Sequence, residues 1–260
     1  MLKGKTAIVT GSTSGIGLGI ARKLASIGVN IVLNGLGNIE EVEALRTEIS
    51  ERNDVKVSYS NANMTRPEDI HKMVSHAAKV HGSVDILVNN AGVQFVSPIE
   101  DFPEDQWDTI IAVNLSAAFH TTKAVVPLMK KHHWGRIINI ASAHGLVGSP
   151  GKAAYVAAKH GLLGLTKVTA LDLANDGITC NAICPGWVLT PLVEKQIEAK
   201  AKQQGITVEE ARSNLIKEKQ PMLQFTTPES LGAMTIFLCT DAAATITGAS
   251  LPVDGGWTAQ

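Results

Sequence analysis

Lys152, Tyr155 and Lys159 follow one another at spacings of three and four residues. On a helix, at about 100° per residue, the three side chains share one face within roughly 60°. Tyr155 and Lys159 then lie about 6 Å apart along the axis. An ammonium beside a phenol favours the phenolate, so Lys159 is expected to bring the Tyr155 pKa down from its usual value of about 10. Such a pair exchanges protons near neutral pH. Alone, a Tyr-x-x-x-Lys pattern is more often a half-buried Tyr near a solvated Lys. The surrounding motifs change that reading.

The segment Thr10-Gly11-Ser12-Thr13-Ser14-Gly15-Ile16-Gly17 has the spacing G-x-x-x-G-x-G between a strand-like run and a helical pattern. Glycines there let the backbone turn tightly and approach a pyrophosphate, which meets the amides of the helix N-terminus. An acid about 20 residues further on would hold a ribose 2′-hydroxyl. Asn34 stands in that place, and nothing at 34–37 is basic. No cation awaits a 2′-phosphate, so NAD is the expected cofactor.

The elements that must position these groups alternate along the chain. Strand-like runs fall at 6–10, 31–33, 55–59, 86–89, 136–140, 179–183 and 250–253, several of them β-branched and nearly all apolar. Helical patterns lie near 16–28, 38–52, 67–81, 104–132, 152–175 and 228–239. Runs apolar on both faces fit a parallel sheet covered by helices. The fold class expected is α/β, a single doubly wound parallel sheet (Rossmann fold) in one domain spanning 1–260. The polar segment at 188–226 carries no strand pattern and reads as a helical lid over the carboxyl edge.

Bulk properties narrow the function. The 260 residues carry a net charge of −1 and 4% aromatics, with no basic block. Nucleic acid and anionic membrane surfaces are therefore not expected partners. With no signal-like segment at Met1–Lys5 and no run of 18 apolar residues, a cytoplasmic protein is expected. Cys180, Cys184 and Cys239 suit neither a disulfide framework nor a metal set and read as structural thiols; adjacent His132 and His133 chelate poorly. No metal is expected.

Taken in order, Gly11-x-x-x-Gly15-x-Gly17, Asn89-Asn90-Ala91-Gly92, Asn114, Ser142, Tyr155-x-x-x-Lys159 and Pro185-Gly186 with Thr190 resemble the short-chain dehydrogenase/reductase family across the whole chain. That resemblance implies a tetrad. Tyr155 would be the acid/base. Lys159 would tune it and bind the nicotinamide ribose, Ser142 would hold the substrate oxygen, and Asn114 would hold a water relaying protons. It also implies cofactor contacts from Gly11, Thr13, Ser14, Gly15, Ile16, Gly17, Leu36, Asn63, Met64, Asn90, Ala91, Gly92, Val113, Pro185, Gly186, Trp187, Val188 and Thr190. Asn63 stands where the family more often has Asp.

On the substrate side the resemblance extends to bacterial 3-hydroxybutyrate dehydrogenases, through Gln94, His144, Lys152, Trp187, Gln196 and Trp257. Lys152, one turn from Tyr155, suits a carboxylate next to the reacting carbon. Gln94, His144 and Gln196 would add hydrogen bonds, and the two tryptophans would wall off a methyl group. A small hydroxy acid, (R)-3-hydroxybutyrate, is the implied substrate and acetoacetate the product. A 3-oxoacyl-thioester reductase using NADPH, a sugar or polyol dehydrogenase and a nucleotide-sensing module are the other readings. The family implies a homotetramer, with 104–132 and 152–175 pairing through Ala153, Ala154, Ala157, Ala158, Gly161, Leu162 and Leu165. A sheet-facing stripe explains several of those positions equally well.

Overall fold

A computed structural model describes residues 2–259. Seven parallel strands form one sheet in the order β3-β2-β1-β4-β5-β6-β7. They are β1 (Thr6–Val9), β2 (Asn30–Asn34), β3 (Val57–Ser60), β4 (Ile86–Asn89), β5 (Gly135–Ile140), β6 (Ile178–Pro185) and β7 (Ser250–Val253). β1, β4, β5 and β6 are buried at every position. Helices cover both faces, which explains the near-continuous apolar runs in the sequence. β1 pairs with β2 on one side and β4 on the other. The chain therefore reverses its direction of travel between β1 and β4, and a crevice opens there at the strands' carboxyl ends.

The helices are α1 (Gly15–Ala25), α2 (Ile39–Asn53), α3 (Pro67–His81), α4 (Glu104–Ile111), α5 (Ala117–Lys131), α6 (Ala153–Asp172), α7 (Pro191–Gln204), α8 (Val208–Lys217) and α9 (Pro228–Cys239). Local chemistry sets their starts. Asn38 accepts from the Glu40 and Glu41 amides at 2.8 and 3.3 Å, and Thr207 with Glu210 forms a capping box. Pro67 and Pro191 open α3 and α7, where a missing N–H costs nothing.

Three details differ from the sequence reading. The long helix expected at 104–132 is interrupted by a π-helical segment, Ala112–Ser116. β3 starts at Val57, two residues late, because Asp54 ends α2 in a left-handed conformation with φ 51°. The run Glu104–Lys131 is long and apolar enough to cross a membrane by length and composition, although no such span was expected. Its apolar side instead packs inward, burying Ala117, Ala118, Val125 and Met129. The polar segment at 188–226 folds as α7 and α8, packed on each other through Ile197, Ala201, Ala211 and Leu215.

Candidate active site

The glycine turn is locked from β4. Asn90 Nδ2 donates to the Thr10 and Gly11 carbonyls at 2.8 and 3.0 Å. The Asn90 and Ala91 amides both donate to Thr10 Oγ1, at 2.9 and 3.0 Å. These contacts leave no room for a side chain at Gly11 or Gly17. A Cβ on Gly11 would stand 2.9 Å from the Ala91 Cα, and one on Gly17 would collide with Asn90 Nδ2 and the Gly11 carbonyl. Ser14 stands at the α1 N-cap without its side chain capping any amide. The helix start thus presents free N–H groups beside a close-packed backbone, and these residues fit a pyrophosphate.

Other predicted cofactor residues gather around this turn. Thr13 abuts Gly35 at the end of β2, and the Thr190 methyl lies 3.7 Å from a Cβ built on Gly15. Met64, Ala91, Val113 and Asn114 line one small cavity at the carboxyl ends of β1 and β4. Leu36 is 73% exposed beyond β2. Pro185 and Val188 are buried, and Val188 bridges Thr226 at the lid's base.

Two polar positions behave differently from expectation. Asn34 is buried and fully engaged. Its Oδ1 accepts from the Gly11 amide at 3.2 Å, and its Nδ2 donates to the Ser60 and Ala62 carbonyls at 3.1 and 3.0 Å. It ties the glycine turn to the end of β3 and does not stand in for a ribose-binding acid. Asn63 Oδ1 accepts from the Thr65 amide and hydroxyl, each at 2.9 Å. Its acceptor is spent on a local turn.

α6 carries Tyr155 and Lys159 against the end of β5. Ser142, directly after β5, is buried, and its hydroxyl accepts from the His144 amide at 3.1 Å. Lys159 is buried with its Nζ donating to the Ile140 carbonyl at 2.8 Å and lying 5.6 Å from the Tyr155 ring centroid. Here the expected electrostatics need correction. Burial raises the Tyr155 pKa and the Ser142 hydroxyl lowers it; the lysine is not the leading influence. Burial in turn brings Lys159 down to about 8. Desolvation of two adjacent groups thus outweighs the simple attraction read from their spacing.

Asn114 sits in the π-helical segment, buried. Its Oδ1 accepts from the Val93 amide and its Nδ2 donates to the Val93 carbonyl, both at 2.9 Å. This doublet pins the loop after β4.

An aromatic cluster extends outward from Tyr155. His144 meets Tyr155 edge-on at 6.0 Å and Trp257 edge-on at 5.0 Å. Trp257 stacks on Trp187 at 6.4 Å and 26°. The buried Trp187 indole N–H has no hydrogen-bond partner among the described residues. Lys152 is half-buried at the start of α6 and makes no ion pair among the described residues. Its pKa is lowered by burial and by Lys219, a second cation close by. His144 is brought down to about 4, first by burial and then by Lys152 and Lys219. Two lysines and a neutral imidazole, with no acid paired to them among the described residues, suit an anionic substrate group.

Lys219 was not singled out in the sequence; its only signal was membership of the polar lid. Gln94 and Gln196 are exposed, in the loop after β4 and on α7 respectively. Among the described residues neither makes a hydrogen bond to the cluster.

The low pKa of His144 makes a stability prediction. The folded protein holds the ring neutral, so its contribution is intact above the unfolded value of about 6.5 and is lost as pH falls toward 4. Relative to His144→Gln, the wild type should therefore lose at least about 1 kcal/mol between pH 7 and pH 4.5, since one pKa unit is worth about 1.4 kcal/mol. Urea titrations at both pH values check this; a constant difference rejects it.

The chain matches the model of the short chain dehydrogenase family over residues 5–201. It is 56% identical to a D-beta-hydroxybutyrate dehydrogenase of Cupriavidus necator, covering all of both chains. It is also 56% identical to one from Rhizobium meliloti, over 98% of this chain and 99% of that protein. An L-sorbose reductase from Gluconobacter frateurii, solved with NADPH and L-sorbose, superposes with a TM-score of 0.95 at 30% identity, covering 100% of this chain and 98% of the other.

Proposed function

The chain belongs to the short-chain dehydrogenase family, and from that premise we propose that it oxidises (R)-3-hydroxybutyrate to acetoacetate reversibly with NAD. One observation carries the substrate reading: an aromatic wall, Tyr155–His144–Trp257–Trp187, adjoins a cation, Lys152, that no acid neutralises among the described residues. A short hydroxy acid has a carboxylate for the lysine and a methyl group for the indoles. The identity to two D-beta-hydroxybutyrate dehydrogenases supports the same substrate.

The bound dinucleotide supplies the hydride acceptor; the residues of this chain do the rest. The glycine turn and the α1 amides hold the pyrophosphate, and Lys159 binds the nicotinamide ribose. Ser142 donates to the substrate oxygen. Tyr155 takes the hydroxyl proton as the C3 hydrogen leaves with its electron pair, and the C–O bond becomes a carbonyl. Lys152 fixes the carboxylate, so C3 is presented in a single orientation. The tryptophans exclude water from the methyl side.

NAD is favoured over NADP by the sequence at the end of β2. Gly35, Leu36 and Gly37 offer no cation, and the exposed Leu36 side chain gives a 2′-phosphate nothing to pair with. The exposed Trp107, Phe119, Val168 and Leu171 on α4, α5 and α6 support a homo-oligomer built on those helices. Ala154, Ala158 and Leu162, expected among the interface positions, are buried within the subunit, while Ala157 faces outward.

A panel of hydroxy acids, 3-oxoacyl thioesters and polyols, each assayed with both nicotinamide cofactors, tests the reading. (R)-3-hydroxybutyrate with NAD should give the highest kcat/KM, by roughly tenfold or more over the other pairs. A thioester reduced faster with NADPH would overturn it.

A further inference from the structure

The segment leaving α8 contains a polar side chain that the reaction does not use. Gln220 follows a polar helix yet is only 1% exposed. Its Oε1 accepts from the Trp187 amide at 2.5 Å, and its Nε2 donates to the Gln224 carbonyl at 3.1 Å. The carboxamide is wedged between two main-chain turns. A Cβ on Gly186 would stand 2.5 Å from its Oε1, and one on Gly255 would stand 2.8 Å from its Nε2. Only glycines let the backbones close on it from both sides.

Each turn delivers a tryptophan. Gly186 precedes Trp187, and Gly255-Gly256 precedes Trp257. The second turn is braced beneath by buried Asp254, whose carboxylate accepts from the Gly256 amide at 3.1 Å, the Thr258 amide at 3.0 Å and the Thr258 hydroxyl at 2.6 Å. The Gly186 amide donates to the Val253 carbonyl at 3.1 Å and Gly186 packs on Asp254, so the turns meet along one edge and Gln220 fills the gap between them along the other. The stacked indoles lie in the aromatic row that runs through His144 to Tyr155. Any change in the spacing of the two turns therefore alters the room beside the reacting carbon.

We propose that Gln220 is a positioning residue that sets the separation of the two tryptophan-bearing turns, and through it the chain length of hydroxy acid the site accepts. The proposal rests on the hydroxy-acid reading above. The two are separable by experiment, because activity on any hydroxy acid tests the first and discrimination between two of them tests the second.

The test compares kcat/KM for (R)-3-hydroxybutyrate and (R)-3-hydroxyvalerate, with NAD, in the wild type, Gln220→Met and Gln220→Glu. One methylene in an apolar pocket is worth roughly 10- to 200-fold, so the wild type should prefer the shorter acid by about tenfold or more. Gln220→Met keeps the length and loses both hydrogen bonds; the preference should fall to about twofold, with KM rising for the shorter acid and NADH affinity unmoved. Gln220→Glu keeps the shape and the acceptor for the Trp187 amide but sets a carboxyl against the Gln224 carbonyl; folded in its neutral form, it should lose roughly threefold of the preference. A merely structural role would lower both substrates by one factor. An unchanged ratio in either folded variant overturns the proposal, as does a wild type without preference. A wild type that oxidises neither acid defeats the hydroxy-acid reading itself.

Discussion

Tyr155→Phe lowers kcat by a factor on the order of 10² to 10⁴, the range a positioned proton-transfer group contributes. Its affinity for NADH should stay within roughly twofold, since the phenol oxygen accounts for little uniform binding. The substitution removes one oxygen and keeps the ring, so the edge-on contact with His144 at 6.0 Å persists and the aromatic wall stays in place. The loss should fall equally on kcat and kcat/KM, which marks an interaction made in the transition state. Initial rates and NADH fluorescence titrations check it, and undiminished turnover rejects Tyr155 as the acid/base.

Lys152→Ala raises KM for the hydroxy acid about tenfold or more while kcat changes less. A charge-assisted hydrogen bond is worth about 1.5–3 kcal/mol, and about 1.4 kcal/mol is tenfold. The half-buried ammonium is already disfavoured by desolvation and by Lys219. An incoming carboxylate relieves both effects, so its attraction to this site is large for a group at the pocket rim. A neutral substrate of the same length, such as the primary amide of the acid, should respond little to the substitution. An unaltered KM for the acid would move the carboxylate site elsewhere, with Lys219 the first residue to test.

The fold was legible because strands buried on both faces read as unbroken apolar runs, and because Gly, Pro and Asn mark the turns between them. The glycine turn and the α6 triad were legible because their chemistry depends on sequence-local spacing. What escaped detection depends on tertiary placement. Asn34 occupies the expected position on β2, yet strand register turns its side chain into the interior, where three backbone groups claim it. The interruption at Ala112–Ser116 carries no period of its own, because a π turn shifts hydrogen bonds without changing residue type. Lys219 and Gln220 looked like any other polar residues of the lid. Only the packing of the segment after α8 against the turns at 186 and 255 separates one as a cation near His144 and the other as a buried wedge.

The pH behaviour of the pair at the centre also escaped a reading based on spacing. Tyr155 is held up by burial and Lys159 is brought down to about 8 by the same cause. Both shifts favour the uncharged forms, so the site as folded resists the ion pair that the sequence suggests. A positive charge or a hydrogen bond to the phenolate oxygen would act in the opposite direction.

The most direct test is a single turnover with enzyme in excess, mixing (R)-3-hydroxybutyrate with the NAD-loaded protein and following NADH absorbance. NADH should form stoichiometrically with wild-type protein, and its appearance should slow by the kcat factor given above in Tyr155→Phe. No NADH from the wild type, or an equally fast rise in the variant, would contradict an oxidoreductase working through this phenol.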